Sequence, residues 1–181
     1  MRRTWFAIAV LALAGCGGAK VRTATTPLKV KTAPHTISVS SPALAPGASI
    51  PRAYTCDGRD GSPPLRWSGV PAGTRELALE MIDLDAPGGP FLHWALAGIR
   101  PSLMGLAPGP AAPAGVFAGR NGFGKIGYRG PCPPPGKRHR YVIALFALPA
   151  ALGLRPGFAA GALPTSRALA LGELEGTYGH P

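Results

Sequence analysis

Leu92-His-Trp-Ala-Leu-Ala-Gly-Ile99 and Tyr141-Val-Ile-Ala-Leu-Phe-Ala-Leu148 are the two stretches whose reading decides the fold. Both are near-continuous apolar runs, the pattern of strands covered on both faces. Outward from them, Leu77, Leu79 and Met81 share one parity between Glu76 and Asp83, and Asp83 continues it. Ile37-Ser-Val39 alternates in the same way. Breakers separate the runs at Pro71-Ala-Gly73, Pro87-Gly-Gly-Pro90 and Pro131 to Gly136. The pattern predicts a mainly β protein, a two-sheet antiparallel sandwich with a few short helices. One helix is expected near the end, capped by Thr165 or Ser166, running through Ala168, Leu169, Leu171 and Leu174 and stopping at Gly176. No internal repeat is present.

Composition agrees with one β-rich domain. The chain has 181 residues, of which 26 are Gly and 22 Pro. That share signals disorder or a loop-rich fold, and the 46% hydrophobic content argues against disorder. Helical bundles are excluded by the scatter of Pro and Gly. Basic residues outnumber acidic ones by 19 to 8. Every carboxylate lies between Asp57 and Asp85 or at Glu173 and Glu175, so the long span from Ala86 to Gly172 is free of acid. A field of that sign concentrates anions, although a solvated basic surface has the same composition.

Residues 1–15 have a basic start, an apolar run from Trp5 to Ala14 and small residues before Cys16, the parts of a secretory signal too short to span a bilayer. Leu13-Ala-Gly-Cys16 resembles the bacterial lipobox, whose cysteine is lipidated and becomes the first residue after cleavage; an ordinary cleaved signal is the alternative. Several acyl chains on Cys16 imply a firm membrane anchor. Residues 16–35 carry Lys20, Arg22, Lys29 and Lys31 without an acid and read as a basic flexible tether near anionic headgroups. The folded domain is then 36–181. In an exported, oxidising location the simplest use of Cys56 and Cys132 is one disulfide, the alternative being two buried thiols. Closing a loop of about 75 residues stabilises by roughly 4 kcal/mol in the chain-entropy model.

Gly122-Phe-Gly-Lys-Ile-Gly127 has the spacing of a dinucleotide fingerprint, but Tyr128-Arg-Gly-Pro-Cys-Pro-Pro-Pro135 follows where a helix is required, and no Ser or Thr follows Lys125 as a phosphate loop needs. A mobile Gly-rich loop fits better. A stronger constellation is spread over strand ends. In an extended chain Asp83 and Asp85 project to one side, and His139 and Tyr141 to one face; Phe91-Leu-His93-Trp94 opens a further strand. Taken singly, each aspartate could be a turn cap, His93 a core histidine and His139 part of the basic run Lys137 to Arg140. Together they place polar groups at the mouth of an apolar sandwich, the usual setting of a pocket.

Eight blocks in fixed order resemble the phosphatidylethanolamine-binding proteins, in the bacterial branch called Raf-kinase-inhibitor-like. They are Ile50-Pro-Arg-Ala-Tyr-Thr-Cys-Asp-Gly58, Ser62-Pro-Pro-Leu-Arg-Trp67, Ser68-Gly-Val-Pro-Ala-Gly-Thr74, Asp83-Leu-Asp-Ala-Pro87, Phe91-Leu-His-Trp94, Gly127-Tyr-Arg-Gly-Pro-Cys-Pro-Pro134, His139-Arg-Tyr141 and Gly176-Thr-Tyr178. The resemblance implies a β sandwich with a shallow pocket for phosphate-like anions, formed by Asp83, Asp85, His93, the Gly130-Pro131 turn, His139 and Tyr141. Leu84 departs from the proline usual in that aspartate motif. Imidazole, phenol and exposed backbone N–H groups of the turn supply donors, while the aspartates orient the rings and favour imidazolium.

The function expected is therefore an envelope lipoprotein, non-enzymatic and without a cofactor, binding a small anion such as a phospholipid headgroup. Two other classes compete. A module inhibiting a secreted protease follows from fold analogy alone. A metal-assisted hydrolase would use the two aspartates and two histidines, but no His-Glu-x-x-His, paired-cysteine or Gly-x-Ser-x-Gly pattern supports it. Nucleic acid is not an expected partner, since export separates the chain from it and no recognition motif accompanies the charge.

Overall fold

A computed structural model describes residues 35–109, 112–159 and 161–180. The expected signal, Cys16 and the tether as far as residue 34 lie outside the described residues. Among these residues nine strands follow in order: β1 His35–Thr36, β2 Ser38–Ser40, β3 Leu65–Ser68, β4 Glu76–Asp83, β5 Phe91–Ile99, β6 Gly105–Leu106, β7 Phe117–Ala118, β8 Arg138–Leu148 and β9 Ala170–Gly179. The larger sheet has the order β1-β9-β8-β4-β5-β7 and the smaller β2-β3-β6. Pairing is antiparallel except between β1 and β9. Helical structure among the described residues is confined to two single 3-10 turns, Arg52–Tyr54 and Thr165–Arg167. None of it is long and apolar enough to cross a membrane.

The near-continuous apolar runs have the cause expected of them, because the large sheet is covered on both faces. Leu77, Leu79, Met81, Trp94, Leu96, Ile143 and Leu145 face the small sheet and pack with Leu65, Trp67 and Leu106. Ala78, Ala95, Ala97, Ala144, Phe146 and Leu148 face the other way, under Phe158 and Leu163. Each Leu or Ile fully buried here contributes about 1.5–3 kcal/mol relative to exposure. Glu76 is buried with both oxygens used: Gly98 N donates to Oε1 at 2.7 Å and Leu152 N to Oε2 at 2.9 Å. Gly98, at φ 75°, accompanies a register shift between β4 and β5.

The helix expected over 165–176 is not formed. A 3-10 turn at Thr165–Arg167 leads into β9, whose buried positions Ala170, Gly172, Leu174, Gly176 and Tyr178 follow a period of two. The separation of Leu171 and Leu174 suits a helix by itself, but Gly172 and Gly176 weaken one. In the strand their bareness is needed: a Cβ on Gly172 would lie 2.3 Å from the Ile37 carbonyl oxygen, and one on Gly176 would lie 2.8 Å from Ile50 Cγ1.

Every edge strand is two or three residues long, whereas β4, β5, β8 and β9 run for eight to eleven. Beyond β1, the outer edge of β9 is paired by loop backbone, with Gly47 N donating to Glu175 O at 2.8 Å and Ile50 N to Thr177 O at 2.8 Å. Beyond β7, the outer edge of β5 is closed similarly, by Gly119 N to Ala95 O, Gly122 N to Leu92 O and Arg129 N to His93 O. Cys56 and Cys132 form the expected disulfide, with Cα atoms 5.5 Å apart.

Candidate functional site

Asp83, the last residue of β4, lies between Phe91 of β5 and Tyr141 of β8 in the strand register. Two residues before Tyr141 on the same face, His139 turns Nδ1 to the carboxylate of Asp83, 2.8 Å from Oδ2, with both side chains buried. His93 arrives by a different device. Met81 pairs with Trp94 and Ile82 with Leu92, so His93 is the extra residue of a β-bulge, and such bulges re-aim side chains. Its ring stands edge-on to Tyr141, centroids 5.3 Å apart, while the His139 ring lies stacked 6.5 Å from the same tyrosine. The structure thus gathers Asp83, His93, His139 and Tyr141 at one end of the sandwich core.

His93 is held from two directions. Arg129 N donates to His93 O at 3.1 Å, and His93 Nδ1 is 2.7 Å from Arg129 O, a reciprocal clamp that fixes the ring tautomer. Phe91 and Phe123 pack edge-on against the ring at 5.4 Å each. Burial pushes the His93 pKa down, opposed by the Arg129 carbonyl and by Asp83. Burial and the charge of Asp83 push Tyr141 up, so its phenol keeps a proton to donate. That hydroxyl is buried with no partner in good hydrogen-bond geometry among the described residues, although Asp83 and the Cys132 backbone lie close enough to act on it.

Asp85 and the Gly130-Pro131 turn lie beside this group and are engaged by other partners, with the Gly130 backbone also acting on His93. Asp85 follows the end of β4, and its N–H donates to Asp83 Oδ1 at 2.9 Å, so the alternation that would point both carboxylates one way is interrupted by a turn. Its carboxylate takes three hydrogen bonds from Arg140, from N and Nε at 2.9 Å and Nη2 at 2.7 Å. The Arg140 guanidinium holds the Asp85 pKa down to about 2. Asp85 therefore braces the start of β8 through Arg140. Gly130 and Pro131 are buried, and Gly130 N donates to Asp60 Oδ1 at 2.6 Å, so this backbone donor is already spent. Asp60 also pairs with Arg129 at 3.0 Å, which fixes the clamp on His93.

The Gly-rich loop read as mobile is pinned by buried Asn121. Its side-chain oxygen accepts from Phe123 N and Lys125 N at 3.1 Å each, and its nitrogen donates to Gly127 O at 3.0 Å. Phe123 is thereby set against His93 with Arg129 over its ring at 6.0 Å. Phe91, Phe123, Asp60 and Arg129, which pack against or fix His93, are not announced as its neighbours by the sequence alone. The shared parity of Phe91 with His93 is a partial signal; the approach of residues 121–129 gives none.

Chemically, Nδ1 of each imidazole faces an oxygen acceptor, so the remaining nitrogen, Nε2, donates only when the ring is imidazolium. The Tyr141 hydroxyl donates in either case. Donors for an anion thus rise from one to three as the rings take up protons. The four acid and imidazole side chains do not converge as a metal centre: among the described residues the group with three ligand atoms within 4.8 Å of one another is Cys56, Cys132 and His180, whose cysteines are joined. His180 is held by Asp57 at 2.7 Å and Pro133 O at 2.7 Å.

Comparison with known proteins places these features. The family model described as phosphatidylethanolamine-binding protein matches residues 40–179. The chain is 42% identical over 163 residues to "Putative lipoprotein LppC" of Mycobacterium tuberculosis, covering 82% of this chain and 79% of that one. It is 44% identical over 126 residues to a UPF0098 protein of Aquifex aeolicus, 67% of this chain and 74% of the other. Among solved structures, a phosphatidylethanolamine-binding protein homologue from Chlamydia trachomatis superposes with TM-score 0.74 at 33% identity, over 81% of this chain and 99% of that one. E. coli YbcL, described as a member of the mammalian family, gives 0.75 at 28%, over 80% and 99%.

Proposed function

This chain belongs to the phosphatidylethanolamine-binding protein family, and from that premise we propose that it is a non-enzymatic envelope lipoprotein whose pocket holds a small phosphate-bearing anion. The observation that carries the proposal is the Tyr141 hydroxyl, buried without a partner beside two imidazoles whose Nδ1 atoms are already engaged. A buried polar group left unpaired costs stability, and a ligand that pairs with it recovers that cost. An anionic oxygen meets the phenol O–H and, with each ring protonated, two Nε2–H donors, while Phe91 and Phe123 wall the site on the His93 side. Anion and proton bind together, so affinity rises as pH falls.

The test is titration of the full chain, in non-ionic detergent, with O-phosphoethanolamine and with inorganic phosphate, following the ring resonances of His93 and His139. Saturable shifts at millimolar ligand support the proposal. Still rings throughout that range sink it, and response to only one probe tells a headgroup from free phosphate. Anchoring through Cys16 is consistent with the lipoprotein relative. Cys16→Ser should move the chain from the membrane to the soluble fraction.

A further inference from the structure

We propose that Glu80 and the groove around it form a second ligand site, on the opposite face of the large sheet, for a small organic cation: an ammonium carried on a short apolar body. Along β4, Leu77, Leu79, Met81 and Asp83 face the sandwich interior, and the alternate residues Ala78, Glu80 and Ile82 face the other layer. The cross-strand neighbours of Glu80 are Ala95 on β5 and Ala144 on β8. Two short side chains flanking a long one leave a trough, and the segment bearing Leu163 and Thr165 closes over it. The resulting cavity of about 200 Å³ is lined by Glu80, Ile82, Pro90, Leu92, Leu163 and Thr165.

The contrast with Glu76, on the same face two pleat repeats away, carries the inference. Glu76 spends both oxygens on backbone N–H groups and ties Gly98 to Leu152. Glu80 serves no such purpose. The ion pairs of the described residues, Arg129 with Asp60, His139 with Asp83, Arg140 with Asp85 and His180 with Asp57, leave it out. Burial pushes its carboxyl up, and no hydrogen bond or ion pair to it is formed among the described residues, the Thr165 hydroxyl being the polar side chain that lines the groove with it. A half-buried carboxylate at the base of an apolar groove lacks one thing, a cation that brings its own hydrocarbon. The volume lies below the roughly 300–1,000 Å³ of drug-sized sites, which selects a short alkyl or aryl amine.

The site is tested on the full chain in non-ionic detergent with n-butylammonium chloride, following methyl signals of Ile82, Leu92 and Leu163. Saturable shifts at millimolar concentration are expected, with affinity rising about fourfold per methylene from ethyl- to butylammonium. Ammonium chloride and butanol should bind at least tenfold more weakly, and Glu80→Gln should lose at least tenfold. Equal response to butanol, unchanged affinity in Glu80→Gln, or no shift overturns the proposal. A readout free of substitution is the ¹³C carboxyl signal of Glu80: bound ammonium should carry its protonation midpoint downward, and an unmoved midpoint is also fatal. Replacing Lys20, Arg22, Lys29 and Lys31 by Gln separates sources; binding confined to that variant means the tether occupies the groove, and the free amine reading falls. His93 and His139 should stay still throughout, so the outcome is independent of the anion pocket.

Discussion

Tyr141→Phe is the most informative change, because stability and binding should move in opposite directions. The ring is 1% exposed and its hydroxyl has no partner among the described residues, so the wild type carries a buried polar group that unfolding would return to water. Deleting one oxygen leaves the packing against His93 and His139 in place and removes that penalty, worth about 1–3 kcal/mol. For a domain of this size each kcal/mol moves Tm by about 2–4 °C, so the variant should melt higher by at least that amount. Binding loses a hydrogen bond to a charged acceptor, about 1.5–3 kcal/mol, or roughly tenfold to more than a hundredfold in Kd. Thermal unfolding without anion and calorimetric titration with phosphate measure the two effects separately. A variant that melts lower and binds phosphate as well as the wild type would refute the reasoning, since the hydroxyl would then be structural.

Replacing Cys56 and Cys132 together by Ser should cost roughly 4 kcal/mol in denaturant unfolding, as expected for releasing a sequence separation of 76. Gly172→Ala should cost about 1–3 kcal/mol, since its Cβ meets the Ile37 carbonyl, whereas Gly88→Ala, in open space, should be nearly neutral; equal costs would contradict the account of β9. Asp85 has a folded pKa of about 2, below its ordinary value of 3.8, so its stabilising share is complete above about pH 4 and lost as pH falls toward 2. Asp85→Asn should flatten the fall of the urea midpoint over that window, and an unchanged slope would count against the Arg140 brace. Because burial depresses the pKa of His93, phosphate affinity should climb as pH drops below the usual histidine range; calorimetry at several pH values should show this rise reduced in His93→Gln.

Much of the fold could be read from alternation and breakers. The spans of β4, β5 and β8 coincide closely with the apolar runs, and Asp83 with His139 and Tyr141 follow from period-two logic, whereas His93 joins them through a bulge that the alternation does not announce. Three features resisted. At β9, helix and strand spacing agree locally at Leu171 and Leu174, and only the tertiary approach of Ile37 decides between them. Asp85 does not continue the alternation of β4 because the strand ends at Asp83, where Asp85 N donates to Asp83 Oδ1. The Gly130 donor is lost to Asp60, a partner 70 residues away that no local pattern announces. Glu76 and Glu80 have the same letter and parity, and only their neighbours separate them.

The brevity of the outermost strands bears on how the protein would behave if the proposed lipid anchor holds it at a membrane. Chains confined to a plane meet one another far more often than chains free in solution, which is the circumstance in which exposed backbone recruits a neighbour's strand. Here β1, β2, β6 and β7 present two or three residues each, and loops occupy much of the remaining rim of β5 and β9. Among the described residues so little unpaired ladder is a poor template for edge-to-edge pairing, even where chains are crowded together.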